Sequence, residues 1–191
     1  MKKDRSVFFA TSNINKFEEV KLILNEYGIT VTMVNAKTLE IQADDLEEIA
    51  RAAVMYAVRA QKTPIIVEDA GLFVKSLNNF PGPYSSFVMR TIGNNGVLRL
   101  MDGFDDRRAE FRSTVAFCTP DVKPLSFNGV VEGNISFEAR GKNGFGFDPI
   151  FVPTEGSGQT FAEIDTVEKN KISHRARSIR KFAEYFTEQF G

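Results

Sequence analysis

The chain contains no tryptophan, one cysteine and one histidine among its 191 residues. A lone Cys118 excludes an internal disulfide and fits a reducing compartment. It lies in the apolar run Thr114-Val-Ala-Phe-Cys-Thr119 with no neighbouring base, which reads as a packed thiol and not a nucleophile. With His174 as the only histidine, histidine-rich zinc sites and the H-E-x-x-H helix are excluded. No stretch approaches ~20 consecutive apolar residues, and the start of the chain lacks the apolar core of a signal peptide. A soluble, cytoplasmic protein that does not enter membranes is expected. Excess charge of either sign is also missing, since 24 basic against 25 acidic residues give a net charge of −1. A nucleic-acid-binding domain is usually more basic. Any polyanion must therefore be held by local features.

What is present fits one domain, organised as two lobes. At 42% hydrophobic and 26% charged, the chain can bury a core. Its 18 phenylalanines read as core packing. No repeat, linker or low-complexity tract interrupts it.

The stretch Pro64-Ile-Ile-Val-Glu-Asp-Ala-Gly-Leu72 stands out. An apolar run bounded by Pro and Gly reads as a buried strand, here ending in two carboxylates, Glu68 and Asp69. The carboxyl ends of such strands are where α/β proteins bind ligands, and buried charges must be paired or metal-bound. A strand ending in a solvated acidic turn is the plainer alternative. Upstream, the apolar strand Ser6 to Ala10 runs into the polar loop Thr11-Ser-Asn-Ile-Asn-Lys16. A helix over about Asn15 to Tyr27 follows, with Asn15 and Glu18 resembling a capping pair and Gly28 placed to end it. Such a junction points N–H groups and a positive dipole end at its loop, which suits phosphate, with Lys16 as an added cation. It is not a Walker A motif, and an ordinary capped turn is the alternative. A strand over Thr30 to Ala36 and a helix over Leu46 to Gln61 come next. Two strand–helix units in succession imply a parallel part of a sheet with right-handed crossovers.

Beyond Gly71, Phe80-Pro-Gly-Pro-Tyr-Ser-Ser86 reads as a rigid turn before a helix from Ser86 to Met101, breakable at Gly93-Asn-Asn-Gly96. Arg107 to Thr119 and Leu125 to Phe137 read as an antiparallel hairpin across Pro120 to Pro124, forming a second lobe over about 76–139. The glycine- and aromatic-rich Gly141 to Phe151 suggests close backbone approach, by a β-bulge or around a ligand. Glu168-Lys-Asn-Lys-Ile-Ser-His-Arg175 opens a last helix running to about Phe190, with Ser173 suited to N-capping. Lysines at two helix starts and carboxylates at a strand end fit a polyphosphate held through a divalent metal.

These residues resemble the inosine triphosphate pyrophosphatases. The resemblance rests on Thr11-Ser-Asn-Ile-Asn-Lys16, Glu68-Asp-Ala-Gly-Leu72, Pro81-Gly-Pro-Tyr-Ser85, Gly144-Phe-Gly-Phe-Asp-Pro149 and Glu168-Lys-Asn-x-x-Ser-His-Arg175. The motifs keep the family's order and span nearly the whole chain. The resemblance implies Mg²⁺-dependent cleavage between the α and β phosphates of ITP, dITP or XTP, giving the monophosphate and pyrophosphate. It implies an elongated, two-lobed α/β fold with a mixed β-sheet flanked by helices, a site in the cleft between lobes, and a homodimer. Thr11, Asn13, Lys16 and Lys169 would hold the triphosphate, with Ser12, Ile14 and Asn15 completing the loop. Glu40 and Asp69 would bind the metal, Asp69 also accepting the proton of the attacking water and Glu68 supporting the same ion or water. Ala70 would touch substrate through its backbone. Phe145 would stack on the purine, Gly146, Phe147 and Asp148 would line its pocket, and His174 and Arg175 would face the 6-keto edge. Three positions depart from the family pattern. Ala53 stands where many relatives have a lysine facing the phosphates, Phe147 where Tyr or Trp is common, and Phe87 where arginine is common.

Base selection has a physical basis independent of the resemblance. A pocket of N–H donors suits the 6-keto group of inosine and xanthine and leaves adenine's amino group unpartnered. Mismatches of that kind can cost about 10⁴-fold or more. Guanine shares the 6-keto group, so its exclusion must come from the 2-position. A pyrophosphatase for other bases, such as modified pyrimidines, and a non-catalytic nucleotide-binding module remain as alternatives. A single-strand nucleic-acid binder fits the near-neutral charge less well.

Overall fold

A computed structural model describes residues 5–35, 39 and 41–190. Contacts divide the chain into two units. Unit 1 is Met1–Asp69, Ser113–Gly129 and Arg175–Gly191, and unit 2 is Ala70–Arg112 and Val130–His174. The expected lobes were drawn elsewhere. The turn end of the long hairpin belongs to unit 1, and the glycine-rich segment belongs to unit 2.

Unit 1 begins with β1 (Ser6–Ala10), α1 (Ile14–Glu26), β2 (Thr30–Val34) and α2 (Leu46–Gln61). β3 (Ile65–Val74) then starts beside β1. β1 pairs in parallel with both β2 and β3, as two successive strand–helix units require. Alternation along β1 buries Val7 and Phe9, and the 3.6-residue period of α1 buries Val20, Ile23 and Leu24. Gly28, at φ +65°, lets the chain turn back after the Tyr27 cap. Unit 1 has two cores. One joins β1 and α1 to α6 (His174–Phe190) through Phe9, Ile23, Phe117, Phe182 and Phe186. The other seats α2 by Ala50, Ala53, Val54 and Ala57 against Ile65 and Val67. Emptying one such position, as in Phe182→Ala, costs about 3–5 kcal/mol. Cys118 lies in this second core, where burial pushes its thiol up. It is a packing residue.

Unit 2 holds the rest of β3, antiparallel to β4 (Phe80–Gly82), then α3 (Ser85–Thr91) and α4 (Gly93–Leu100). It also holds parts of β5 (Arg108–Thr119) and β6 (Val122–Ile135), β7 (Phe151–Pro153) antiparallel to β6, and α5 (Thr166–Ile172). Its core gathers Leu72, Val74, Val97, Phe111, Ile150, Phe151 and Phe161. The strand order is β2-β1-β3-β5-β6-β7, with β4 on β3, a mixed sheet flanked by helices. Among the described residues, no helix is long and apolar enough to cross a membrane.

Several boundaries differ from the sequence reading. β3 does not stop at Glu68 and Asp69 but continues to Val74. It changes partner on the way, from β1 at Ile65 and Ile66 to β4 from Leu72 onward. Gly71 permits that exchange, because a Cβ there would stand 2.2 Å from the Gly82 carbonyl oxygen. The helix after the Pro-Gly-Pro turn does break at the first glycine of Gly93-Asn-Asn-Gly96, as the sequence allowed, into α3 and α4. The last helix is also two, α5 and α6, with Ser173 extended between them. The hairpin turn is tighter than Pro120 to Pro124, since β6 already starts at Val122. The glycine-rich segment is a looped turn leading to a 3-10 turn at Asp148–Ile150, not a bulged strand.

Candidate functional site

In unit 1, β1 delivers the chain into a loop closed by its own side chains. Thr11 Oγ1 accepts from Asn13 N–H at 3.1 Å. Asn13, and not Asn15, is the N-cap of α1, its Oδ1 accepting from Asn15 N–H at 3.0 Å and Lys16 N–H at 3.1 Å. These main-chain donors are therefore taken, correcting the expectation of an open row of N–H groups. With their oxygens turned inward as acceptors, Thr11 and Asn13 keep a hydroxyl and an amide NH₂ as donors for an anion. Ser12 in this loop and Ile14 and Asn15 in the first turn of α1 are exposed.

Lys16 reaches from the first turn of α1 to β3. Its Nζ lies 2.8 Å from Glu68 Oε2 and 3.4 Å from the Glu68 carbonyl oxygen, on the peptide leading to Asp69. Glu68 is buried. Its Oε1 accepts from Ser113 Oγ at 2.7 Å and from Arg175 Nε at 3.1 Å. Arg175 Nη1 also bonds Glu19 Oε2 at 2.5 Å, and Ser113 shares a 2.9 Å hydrogen bond with Ser178. Burial alone would raise the Glu68 carboxyl. The Arg175 guanidinium and Lys16 ammonium, aided by hydrogen bonds from Lys16 and Ser113, outweigh it and bring the carboxyl down to about 2. A carboxylate held so low is a poor proton acceptor.

Because β3 stays extended through both acids, Glu68 and Asp69 leave on opposite faces. The Glu68 carboxylate, expected to support the same ion or water as Asp69, is engaged by Lys16, Arg175 and Ser113. Asp69 is half-buried, as is Ala70 after it. Glu40 lies outside the described residues.

In unit 2 the glycine-rich segment is folded around one carboxylate. Asp148 Oδ2 accepts from Phe145 N–H at 2.8 Å and from Lys169 Nζ at 2.6 Å. Gly144, at φ +68°, has no room for a side chain, since a Cβ would meet Asp148 Oδ2 at 2.1 Å. The Lys169 ammonium stands 4.9 Å from the centroid of the half-buried Phe145 ring, a cation–π contact. Asn94 on α4 pins the loop by donating to the Gly146 carbonyl at 3.1 Å. The Phe147 ring is packed in the core, so only its main chain is left to line a pocket. His174 is buried and stacked on Phe111, centroids 4.5 Å apart and planes 8° from parallel. Lys169, expected among the phosphate contacts, thus joins the Phe145–Asp148 set. Arg175, expected at the base, serves Glu19 and Glu68. Ala53 is part of the α2 core, and Phe87 is exposed.

Glu19, Ser113, Ser178 and Asn94 were not singled out from the sequence. Glu19 borders the apolar stripe of α1, and Ser113 sits on the inward alternation of β5 with Phe111, Val115 and Phe117. A charge or hydroxyl on a buried face was the available signal.

Residues 7–185 match the sequence profile of the Ham1 family. A protein from Methanopyrus kandleri named dITP/XTP pyrophosphatase is 50% identical over 180 residues, 94% of this chain and 95% of that one. A Saccharolobus solfataricus protein of the same name is 49% identical over 175 residues, 92% and 90% of the two chains. The solved structure of the Staphylococcus aureus Ham1 protein superposes with a TM-score of 0.83 at 27% identity, covering 96% of this chain and 99% of that one. A HAM1 protein from Coxiella burnetii gives 0.83 at 30% identity, covering 96% and 98%. On the profile match over residues 7–185 and the identity to these relatives across nearly the whole chain, this chain belongs to the Ham1 family.

Proposed function

We propose that the protein hydrolyses the α–β phosphate bond of non-standard purine nucleoside triphosphates, dITP, XTP and ITP, to the monophosphate and pyrophosphate. The observation that carries this reading is the Lys16 ammonium seated on the peptide between Glu68 and Asp69. A phosphate held by Lys16 meets the strand at the residue suited to activate water. The names of relatives near half identical across most of the chain support the same chemistry.

In this reading Thr11, Asn13 and Lys16 bind the triphosphate, with Ser12, Ile14 and Asn15 shaping the loop. Phe145 stacks on the purine, and Gly146, Phe147 and Ala70 contribute main-chain contacts. His174 is the N–H donor for the 6-keto edge, Arg175 being engaged by Glu19 and Glu68, and Asp148 and Lys169 hold Phe145 in place. Asp69 accepts the proton of the attacking water. Glu68, with its oxygens engaged by Lys16, Arg175 and Ser113, is not the base.

The donor chemistry fits Mg²⁺, which takes hard oxygens, usually one or two carboxylates plus substrate phosphates. Among the described residues, no three His, Cys, Asp or Glu side chains gather into a metal cage. Asp69, with Glu40, would hold such an ion together with the substrate. When bound it would neutralise phosphate charge and make the attacking water more acidic. A homodimer working in the cytoplasm completes the proposal. Exposed Phe80, Tyr84, Phe87 and Ile92 in unit 2 offer apolar surface for a second copy.

The test is a panel of triphosphates with Mg²⁺. Turnover of dITP, XTP and ITP at least about 10²-fold above dATP and dCTP is expected. Equal rates on adenine nucleotides would reject the base assignment.

A further inference from the structure

Among the described residues, Lys16 and Arg175 form one chain of ion pairs with Glu68 and Glu19, in which the two cations are matched by the two carboxylates. Lys169 is likewise paired with Asp148. The two lysines expected to grip a triphosphate are thus both paired with carboxylates. The Glu68 side chain is fully buried and that of Lys16 is 19% exposed. The Lys16 ammonium meets Glu68 twice, as an ion pair with its carboxylate at 2.8 Å and as a donor to its carbonyl at 3.4 Å. A phosphate bound at Lys16 would stand within several ångströms of the Glu68 charge.

Two effects of Glu68 on anion binding oppose each other. Holding Lys16 in one conformation favours binding by at most the side chain's rotamer entropy. The negative charge behind Lys16 disfavours a polyanion by more, because like charges about 6 Å apart at a partly buried site repel strongly. The electrostatic effect wins.

We propose that Glu68 is a resident counter-ion acting through Lys16, which holds that lysine in place and makes the phosphate site a poor binder of metal-free polyphosphate. The site then favours a triphosphate whose charge a divalent metal has already reduced, and it releases pyrophosphate readily. This rests on the pyrophosphatase reading. Ser113 and Arg175 fix one carboxylate oxygen, which aims the other at Lys16.

The experiment is calorimetric titration of the full chain with sodium pyrophosphate in EDTA, comparing the parent with Glu68→Gln. The variant should bind pyrophosphate at least about ten-fold more tightly. A structural role alone would weaken binding and could not tighten it. Glu68→Asp, which keeps the charge, should stay within about three-fold of the parent. In a Lys16→Met background, Glu68→Gln should give less than half of its gain. Unchanged or weaker pyrophosphate binding by Glu68→Gln would overturn the proposal. So would a ten-fold rise in the Mg²⁺ concentration needed for half-maximal dITP turnover with metal-free binding unaltered, since that is the behaviour of a metal ligand. If Glu68→Gln does not fold, Glu19→Gln removes the cluster's other negative charge and must tighten pyrophosphate binding in the same direction. Its failure to do so would be equally fatal. Absence of dITP cleavage by the parent would reject the enzymatic reading while leaving these binding results interpretable.

Discussion

Replacing Lys169 by methionine should destabilise the protein by about 3 kcal/mol. The Lys169 and Asp148 side chains are 2% and 3% exposed, and their charged atoms are 2.6 Å apart. Methionine preserves most of the stem's volume, so little of the loss comes from packing. What remains is a carboxylate in the interior without its cation. Breaking a buried ion pair from one side costs about 3–5 kcal/mol. The lower end applies because the Phe145 N–H still donates to Asp148. For a chain of this length, about 3 kcal/mol lowers Tm by roughly 6–12 °C. Asp148→Asn should cost a comparable amount by stranding the ammonium. The double variant should be at least about 1.5 kcal/mol more stable than the sum of the two losses, because each single change already removes the pair. Urea and thermal unfolding of the four proteins measure the cycle. A loss below about 1 kcal/mol for Lys169→Met, or strict additivity, would refute the claim that this pair holds the Phe145 loop.

Asp69→Asn should lower dITP turnover by about 10²–10⁴-fold while the fold is kept, and near-parental turnover would remove Asp69 as proton acceptor. Phe145→Ala should raise KM for dITP by the loss of one base–aromatic stack, about 1–3 kcal/mol or roughly 5- to 150-fold; unaltered KM and kcat would mean the purine stacks elsewhere. For acid stability, the folded carboxyl of Glu68 is depressed from an ordinary 4.5 to about 2. Its contribution is therefore complete above pH 4.5 and lost as pH falls toward 2. Glu68→Gln should flatten stability against pH in that window, and an unchanged slope would count against the depressed carboxyl.

Local patterns marked the first strand, loop and helix, because the apolar run Val7 to Ala10 and the helical spacing of Val20, Ile23 and Leu24 are read directly. Glycines and prolines likewise marked the turn at Phe80 to Tyr84. The course of β3 past Asp69 was hidden, since a strand's continuation depends on its partner and β4 lies several residues further on. Ser173, suited to N-capping, does precede α6 at His174, whereas the separate short helix α5 before it was not foreseen. The motifs carried the candidate residues but not their partners. That Lys16 meets Glu68, that Arg175 meets Glu19, and that Lys169 meets Asp148 are long-range pairings that a window of sequence cannot contain. Those pairings show the Glu68 carboxylate engaged by Lys16, Arg175 and Ser113, which the sequence did not reveal.

The measurement that bears most directly on the proposed chemistry is the identity of the phosphate product. Parent protein, Mg²⁺ and dITP are mixed, and the products are resolved by ion-exchange chromatography. Equimolar dIMP and pyrophosphate, with no orthophosphate and no dIDP, is the predicted result. Release of orthophosphate with dIDP, or no release at all, would contradict cleavage at the α–β bond.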